Sequence, residues 1–261
     1  MRAVCIFALL VFLKTLVRLF YRLKVEWIGE APPGISETDR WRGHRVAAIL
    51  NHTSLFDWLW VTAPPLHFLW QVARHGVVPV ADVTIRRPII GFFFKLVAQH
   101  VVSISRERDR TWQEVLEKID DDQSLVILLP EGRMMRRDGL DKKGNPMTVR
   151  GGIADLLEGV REGRLLLAYS RGLHHVQVPD EGLPRLFQTI ELALESIDVP
   201  TYLAARETER KERSLKRAIV RDLERRRDLH CWPDPSKHPR PEALRPSSEG
   251  AAKAGAEAEG A

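Results

Sequence analysis

The chain has 261 residues, with 40 Lys and Arg against 35 Asp and Glu, a net charge of +5 and two cysteines. That length suits one sizeable domain with appendages and is enough to bury a core. Cys5 and Cys231 lie at opposite ends, which excludes a disulfide framework and fits a reducing compartment; the basic balance suits nucleic acid and an anionic membrane face equally and so selects neither.

Residues Ala3 to Leu13 are almost wholly apolar. Lys14, Arg18 and Arg22 follow at i, i+4 and i+8 and form one basic stripe on a helix. The uninterrupted run is shorter than the roughly 20 residues of a spanning helix, and it carries no small-residue cleavage site. Residues 1–24 therefore read as an amphipathic, membrane-associating helix, its arginines turned toward anionic head groups; the alternatives are an ordinary core helix and a shallow or tilted span with snorkelling Lys and Arg. This places the protein at the cytoplasmic face of a membrane, peripheral or monotopic. Residues 25–232 read as the main domain. Residues 233–261, rich in Pro, Ala, Gly and Glu, read as a disordered tail.

Within the domain, Lys24 to Gly29 is a predicted strand and Glu30 to Gly43 a polar loop. Val46 to Leu50 is an apolar run that reads as a buried strand. Asn51-His52-Thr53-Ser54 follows, then Leu55 to Val61, a predicted short helix stopped by Pro64-Pro65. His67 to Ala73 reads as a further strand. Ile89 to Ala98, with Phe92-Phe93-Phe94, reads as an apolar helix, either a wall for an acyl chain or plain core. Val101 to Ser105 is a predicted strand followed by Arg106, and Trp112 to Ile119 an amphipathic helix. Leu125 to Leu129 is a buried strand ending in Pro130-Glu131-Gly132-Arg133. A charged loop spans Arg136 to Pro146. Gly151 to Val160 reads as a helix, Leu165 to Tyr169 as a strand, Leu183 to Ile197 as a helix, and Arg206 to Asp228 as one long basic helix. Strands alternating with helices predict an α/β fold: a mixed, largely parallel central sheet flanked by helices, preceded by the membrane-associating helix.

His52 and Asp57 are five residues apart, about 140° on a regular helix, so inside one helix they would face apart. They meet only if His52 lies in the turn and Asp57 in the first helical turn, which Ser54 as N-cap would arrange. The imidazole is then a general base, and the carboxylate fixes its tautomer. No G-x-S-x-G elbow occurs, so the nucleophile would be a hydroxyl of the substrate. The plainer alternative is that Ser54-x-x-Asp57 is a capping box and His52 a structural turn histidine. Gly139-x4-Gly144 ends in Asn145, not the lysine of a phosphate-binding loop. His174-His175 lacks metal-ligand spacing with other clusters, and no metal is expected.

Three motifs in order, Asn51-His52…Asp57, Ile104-Ser105-Arg106 and Pro130-Glu131-Gly132-Arg133, with Pro88-Ile89-Ile90-Gly91 between the first two, resemble those of the glycerolipid acyltransferases. That family includes the 1-acylglycerol-3-phosphate acyltransferases. The resemblance spans roughly residues 25–180. It implies that His52 and Asp57 are catalytic and that no cofactor is needed beyond acyl-CoA or acyl-carrier protein as co-substrate. It also implies that Arg106, Glu131, Gly132 and Arg133 bind a lysophosphatidic-acid-like acceptor, with Arg86 a further candidate, arginine being suited to gripping phosphate. The family's third block usually runs F-P-E-G-T-R-S; here Arg133 takes the Thr slot and Met134 the Arg slot. A lysine often precedes P-x-x-G; here the basic residues are Arg86 and Arg87. These departures leave another lysolipid open as acceptor. The partners expected are an anionic phospholipid membrane, a lysolipid and an acyl donor. A non-catalytic membrane adaptor is the rival from another class. Nucleic acid is not expected, because the basic residues share helices with apolar stripes.

Overall fold

In the computed structural model, the residues described are 1–30, 34–54, 56–104, 110–136, 138–177, 183–208 and 214–232. Seven strands form one sheet. They are β1 (Arg22–Trp27), β2 (His44–Leu50), β3 (Gly76–Ala81), β4 (His100–Ile104), β5 (Leu125–Leu128), β6 (Arg164–Ser170) and β7 (Thr189–Asp198). Their order across the sheet is β1-β7-β6-β2-β5-β3-β4. All neighbouring pairs are parallel except β6–β7, so β1 and β7 run opposite to the other five strands. The sheet is mixed and largely parallel, as the alternation of elements predicted.

The central strands are apolar at nearly every position because both faces are covered. Val46, Ala48 and Leu50 of β2, with Leu165, Leu167 and Tyr169 of β6, face α5 (Arg110–Ile119), α6 (Gly152–Gly159) and α8 (Leu215–His230). The intervening Ala47, Leu166 and Ala168 face the opposite layer. That layer holds α1 (Arg2–Phe20), a 3₁₀ helix (Asp57–Thr62) and α2 (Leu66–His75). The two-residue period of strand side chains thus divides the interior into two cores. Short helices α3 (Asp82–Ile85) and α4 (Pro88–Val97) follow β3, and α7 (Val199–Thr208) follows β7. Arg45 ties β2 to the end of α5. Its guanidinium donates to the carbonyls of Ile119 (2.5 Å), at the helix end, and of Asp121 (2.9 Å) and Ser124 (3.1 Å) in the turn that leads to β5.

Several elements differ from their predicted form. His67–Ala73 is not a strand but the middle of α2: Pro65 sits at its N-cap, and Phe68, Leu69, Val72 and Ala73 are buried at helical spacing. The strand in this region is β3, which no prediction placed. It holds Pro79 opposite Val102, beyond Val77 where the pairing with β5 ends, a one-sided position that proline can occupy. Leu183–Ile197 is not a helix. Its second half is β7, with Ile190, Leu192 and Leu194 buried against one layer and Ala193 against the other. The predicted long helix Arg206–Asp228 is two helices, α7 and α8. The predicted helix after His52 is a 3₁₀ helix that begins at Asp57. The tail 233–261 lies outside the described residues.

The N-terminal helix also turns a different face outward than its basic stripe suggested. Lys14 is buried, and its Nζ donates to the carbonyls of Thr62 and Pro64, each at 2.6 Å. Arg18 donates to Thr62 O at 3.3 Å. These carbonyls close the 3₁₀ helix, where cations are favoured. Val4, Phe12, Leu16, Leu19 and Phe20 are exposed instead. On length and composition alone, α1 is long and apolar enough to cross a membrane.

Candidate active site

The parallel strands place their carboxyl ends along one rim, where sites of α/β sheets collect. The rim is built here from the turns after β2, β5 and β6. Leaving β2, Asn51 adopts a positive φ of 68°, a conformation Asn tolerates better than most residues. Its side chain holds the turn by donating Nδ2–H to Ser170 O at 2.7 Å, at the end of β6. Thr53 Oγ1 accepts from the backbone N–H of Leu173 at 2.9 Å. The turn carrying His52 is therefore pinned on both sides to the segment that follows β6.

His52 lies in that turn and Asp57 opens the 3₁₀ helix, so the two side chains meet. His52 Nδ1–H donates to Asp57 Oδ2. Asp57 is buried, and its Oδ1 has no hydrogen-bond partner among the described residues. With the proton on Nδ1, the neutral imidazole keeps its lone pair on Nε2. Burial disfavours charge on His52. The charge and hydrogen bond of Asp57, with the charge of Glu131, outweigh that effect and raise its pKa above the usual histidine value. Ser54 does not cap the helix through a box with Asp57. Its Oγ accepts from the Phe56 N–H at 3.2 Å and donates to Gln177 Oε1 at 3.5 Å.

The turn after β5 clamps the backbone of His52. Glu131 is buried and accepts the His52 N–H on Oε2 at 3.0 Å. The His52 carbonyl accepts from the Met135 N–H at 2.7 Å. Gly132 between them has φ of 62°, a left-handed conformation in which a side chain is strained. Glu131 thus reaches His52 by a contact to main chain, a role that its sequence spacing gave no sign of. Asn51, Thr53 and Gln177 were likewise not singled out, although Asn51 stands beside His52 in the motif.

The predicted anion-binding residues are less uniform. Arg133 donates Nη1–H to Asp141 Oδ2 at 2.5 Å. Asp141 in turn gathers its loop by accepting from the backbone N–H groups of Lys143 (2.8 Å) and Asn145 (2.9 Å). Those hydrogen bonds, the Asn145 N–H foremost, hold its pKa down to about 2. Arg86 follows β3 on the same rim; it is mostly exposed, with Asp82 3.8 Å away. Arg106 lies outside the described residues. Beside the 3₁₀ helix, Phe56, Trp58, Phe93 and Phe94 form a chain of ring contacts 6.0–6.1 Å apart that links Asp57's helix to α4.

The arrangement is an imidazole paired with a buried carboxylate, on a turn held from the ends of both β5 and β6. The fold is like that of a 1-acyl-sn-glycerophosphate (LPA) acyltransferase, PlsC, from Thermotoga maritima. The two share 15% identity at a TM-score of 0.50, over 83% of this chain and 77% of that one. A search of curated protein sequences gave no significant match. The sequence profile of the Acyltransferase family matches residues 34–170, more than half of the chain and inclusive of the turns after β2 and β5. The protein therefore belongs to the Acyltransferase family and is an acyltransferase.

Proposed function

We propose that the protein transfers an acyl group from acyl-CoA or acyl-carrier protein to the free hydroxyl of a lysophosphatidic-acid-like acceptor, with His52 as general base oriented by Asp57. The observation that carries this reading is the hydrogen bond between His52 Nδ1 and Asp57 on a turn clamped by Glu131. His52 Nε2 takes the proton of the acceptor hydroxyl. The acceptor oxygen bonds to the thioester carbonyl carbon, and a tetrahedral oxyanion forms. Its collapse breaks the carbon–sulfur bond, and the imidazolium returns the proton to the departing thiolate. Asp57 stabilises the imidazolium between these steps. No covalent enzyme intermediate is involved. Arg133 and Arg86, with Arg106 by resemblance, meet the acceptor phosphate.

The exposed apolar face of α1 supports work at a membrane. Phe92 and Leu96 of α4, a helix that packs against α1, are exposed as well. Both helices stand beside the 3₁₀ helix that carries Asp57. In this reading the apolar face enters the lipid and Lys14 of the basic stripe stays inside the protein.

One observation favours a second reading of the acceptor. The carboxylate of Asp141 already sits on Arg133, which lowers the positive charge available to a phosphate monoester and suits a less anionic lysolipid. A panel of lysolipids separates the two. The protein is incubated in liposomes with acyl-CoA, and the products are read by mass spectrometry. Product from lysophosphatidic acid alone is expected. Product from another lysolipid keeps the chemistry and moves the acceptor. No product from any acceptor, with acyl-carrier protein also tried as donor, overturns the proposal.

A further inference from the structure

Glu131 uses both of its carboxylate oxygens. Oε2 accepts the His52 N–H at 3.0 Å, and Oε1 accepts from Arg227 Nη1 at 3.1 Å. Arg227 stands in the last turn of α8, beyond the segment that matches the family profile. Its guanidinium is buried; Nη1 also donates to Met147 O at 3.2 Å, and Nε donates to Asp228 at 3.0 Å. A buried carboxylate and a buried guanidinium hold each other in place, because either one left alone would be an uncompensated charge in the interior.

We infer that Arg227 is a positioning residue for acyl transfer: through Glu131 it holds the backbone of His52 in its working place at the end of β2. The inference rests on the reading of His52 as general base. Three titratable groups face Arg227: Glu131 from the turn after β5, Asp228 from its own helix, and the buried thiol of Cys231 just past that helix. Without the guanidinium, the Glu131 carboxylate has no cation at its side. It then turns away, and the His52 N–H loses its charged acceptor. The imidazole also loses a negative charge that favours its protonated form.

The test is a kinetic series on the full-length protein with Arg227→Met, Arg227→Lys, Glu131→Gln, the double variant of Met with Gln, and His52→Ala. Arg227→Met is expected to lower kcat about 10–100-fold, the scale of a small misplacement of a reacting group. KM for the acyl donor should stay within about twofold, and the inflection of kcat against pH should move to lower pH. Arg227→Lys, which keeps the charge, should regain part of kcat and the parental inflection. In the Glu131→Gln background, Arg227→Met should cost nothing further. A purely structural arginine would lower Tm and leave the pH inflection in place, and that result overturns the inference. If Arg227→Met does not fold, Glu131→Gln carries the test, and parental kcat with the parental pH inflection in that variant overturns the inference. His52→Ala separates the two levels. Parental activity there removes the general-base reading, whereas an inactive His52→Ala beside an unaltered Arg227→Met removes only the role of Arg227.

Discussion

Under the proposed function His52 can take a proton only in its neutral form, and its neighbours delay that form. Their net effect raises its pKa above 6.5, so activity should climb with pH through an inflection above 6.5. Asp57→Asn should move the inflection down and lower kcat by about 10²–10⁴-fold, as the orienting carboxylate is lost; a pH–rate profile checks both. His44 shows the opposite environment in a structural role. It is fully buried in β2, with Nε2 2.8 Å from Ser196 Oγ, and burial lowers its pKa from 6.5 to about 4. Below pH 6.5 the unfolded chain binds a proton at His44 that the folded chain refuses, so folding loses stability as pH falls. The loss reaches about 3 kcal/mol by pH 4. Urea unfolding at pH 5 and 7.5 should show it, and His44→Gln should remove that part of the slope. The His52–Asp57 contact was legible because five residues at a strand-to-helix turn leave few ways to meet. The contacts of Glu131 were not, because they join residues 79 and 96 positions apart.

At the level of single elements, apolar period and turn residues were the dependable signals. β2, β5 and β6 were legible as apolar runs ended by Asn51, Pro130 and the polar stretch after Ser170. β7 was not, because Leu-Ala-Leu-Glu favours a helix locally and only pairing between β1 and β6 draws it into the sheet. The basic stripe of α1 was legible, but its direction was not: two free carbonyls at the end of the 3₁₀ helix draw Lys14 inward. Phe12 and Leu19 then face outward. Phe12→Glu with Leu19→Glu should leave the melting temperature nearly unchanged, as exposed substitutions do. The same pair should weaken sedimentation with phospholipid vesicles more than tenfold, since each apolar side chain gains about 1.5–3 kcal/mol on burial. Unchanged vesicle binding would remove α1 as the membrane contact.

For the molecule as a whole, the α/β class and the rim site were legible from the alternation of elements; the extent of the folding unit was not. The family match ends at residue 170, yet β7 completes the sheet, and Ile219 and Leu223 of α8 fill one of its cores. A fragment of residues 34–170 would leave β6 an unpaired edge and that core open. Its thermal scan by circular dichroism should show no cooperative transition, whereas residues 1–232 should unfold in one.

The reversal of β1 and β7 has a spatial result of its own. Because β6 and β7 are antiparallel, Ser170 at the end of β6 pairs with Leu192 near the start of β7, and Thr189 pairs with Arg22 at the start of β1. The chain therefore leaves α1 on the same rim that bears His52. Under the proposed function, the bilayer and the reacting hydroxyl meet at one edge of the protein. An amphiphile can keep its tail in the lipid leaflet while its glycerol oxygen reaches the imidazole, so the enzyme need never extract its substrate into water.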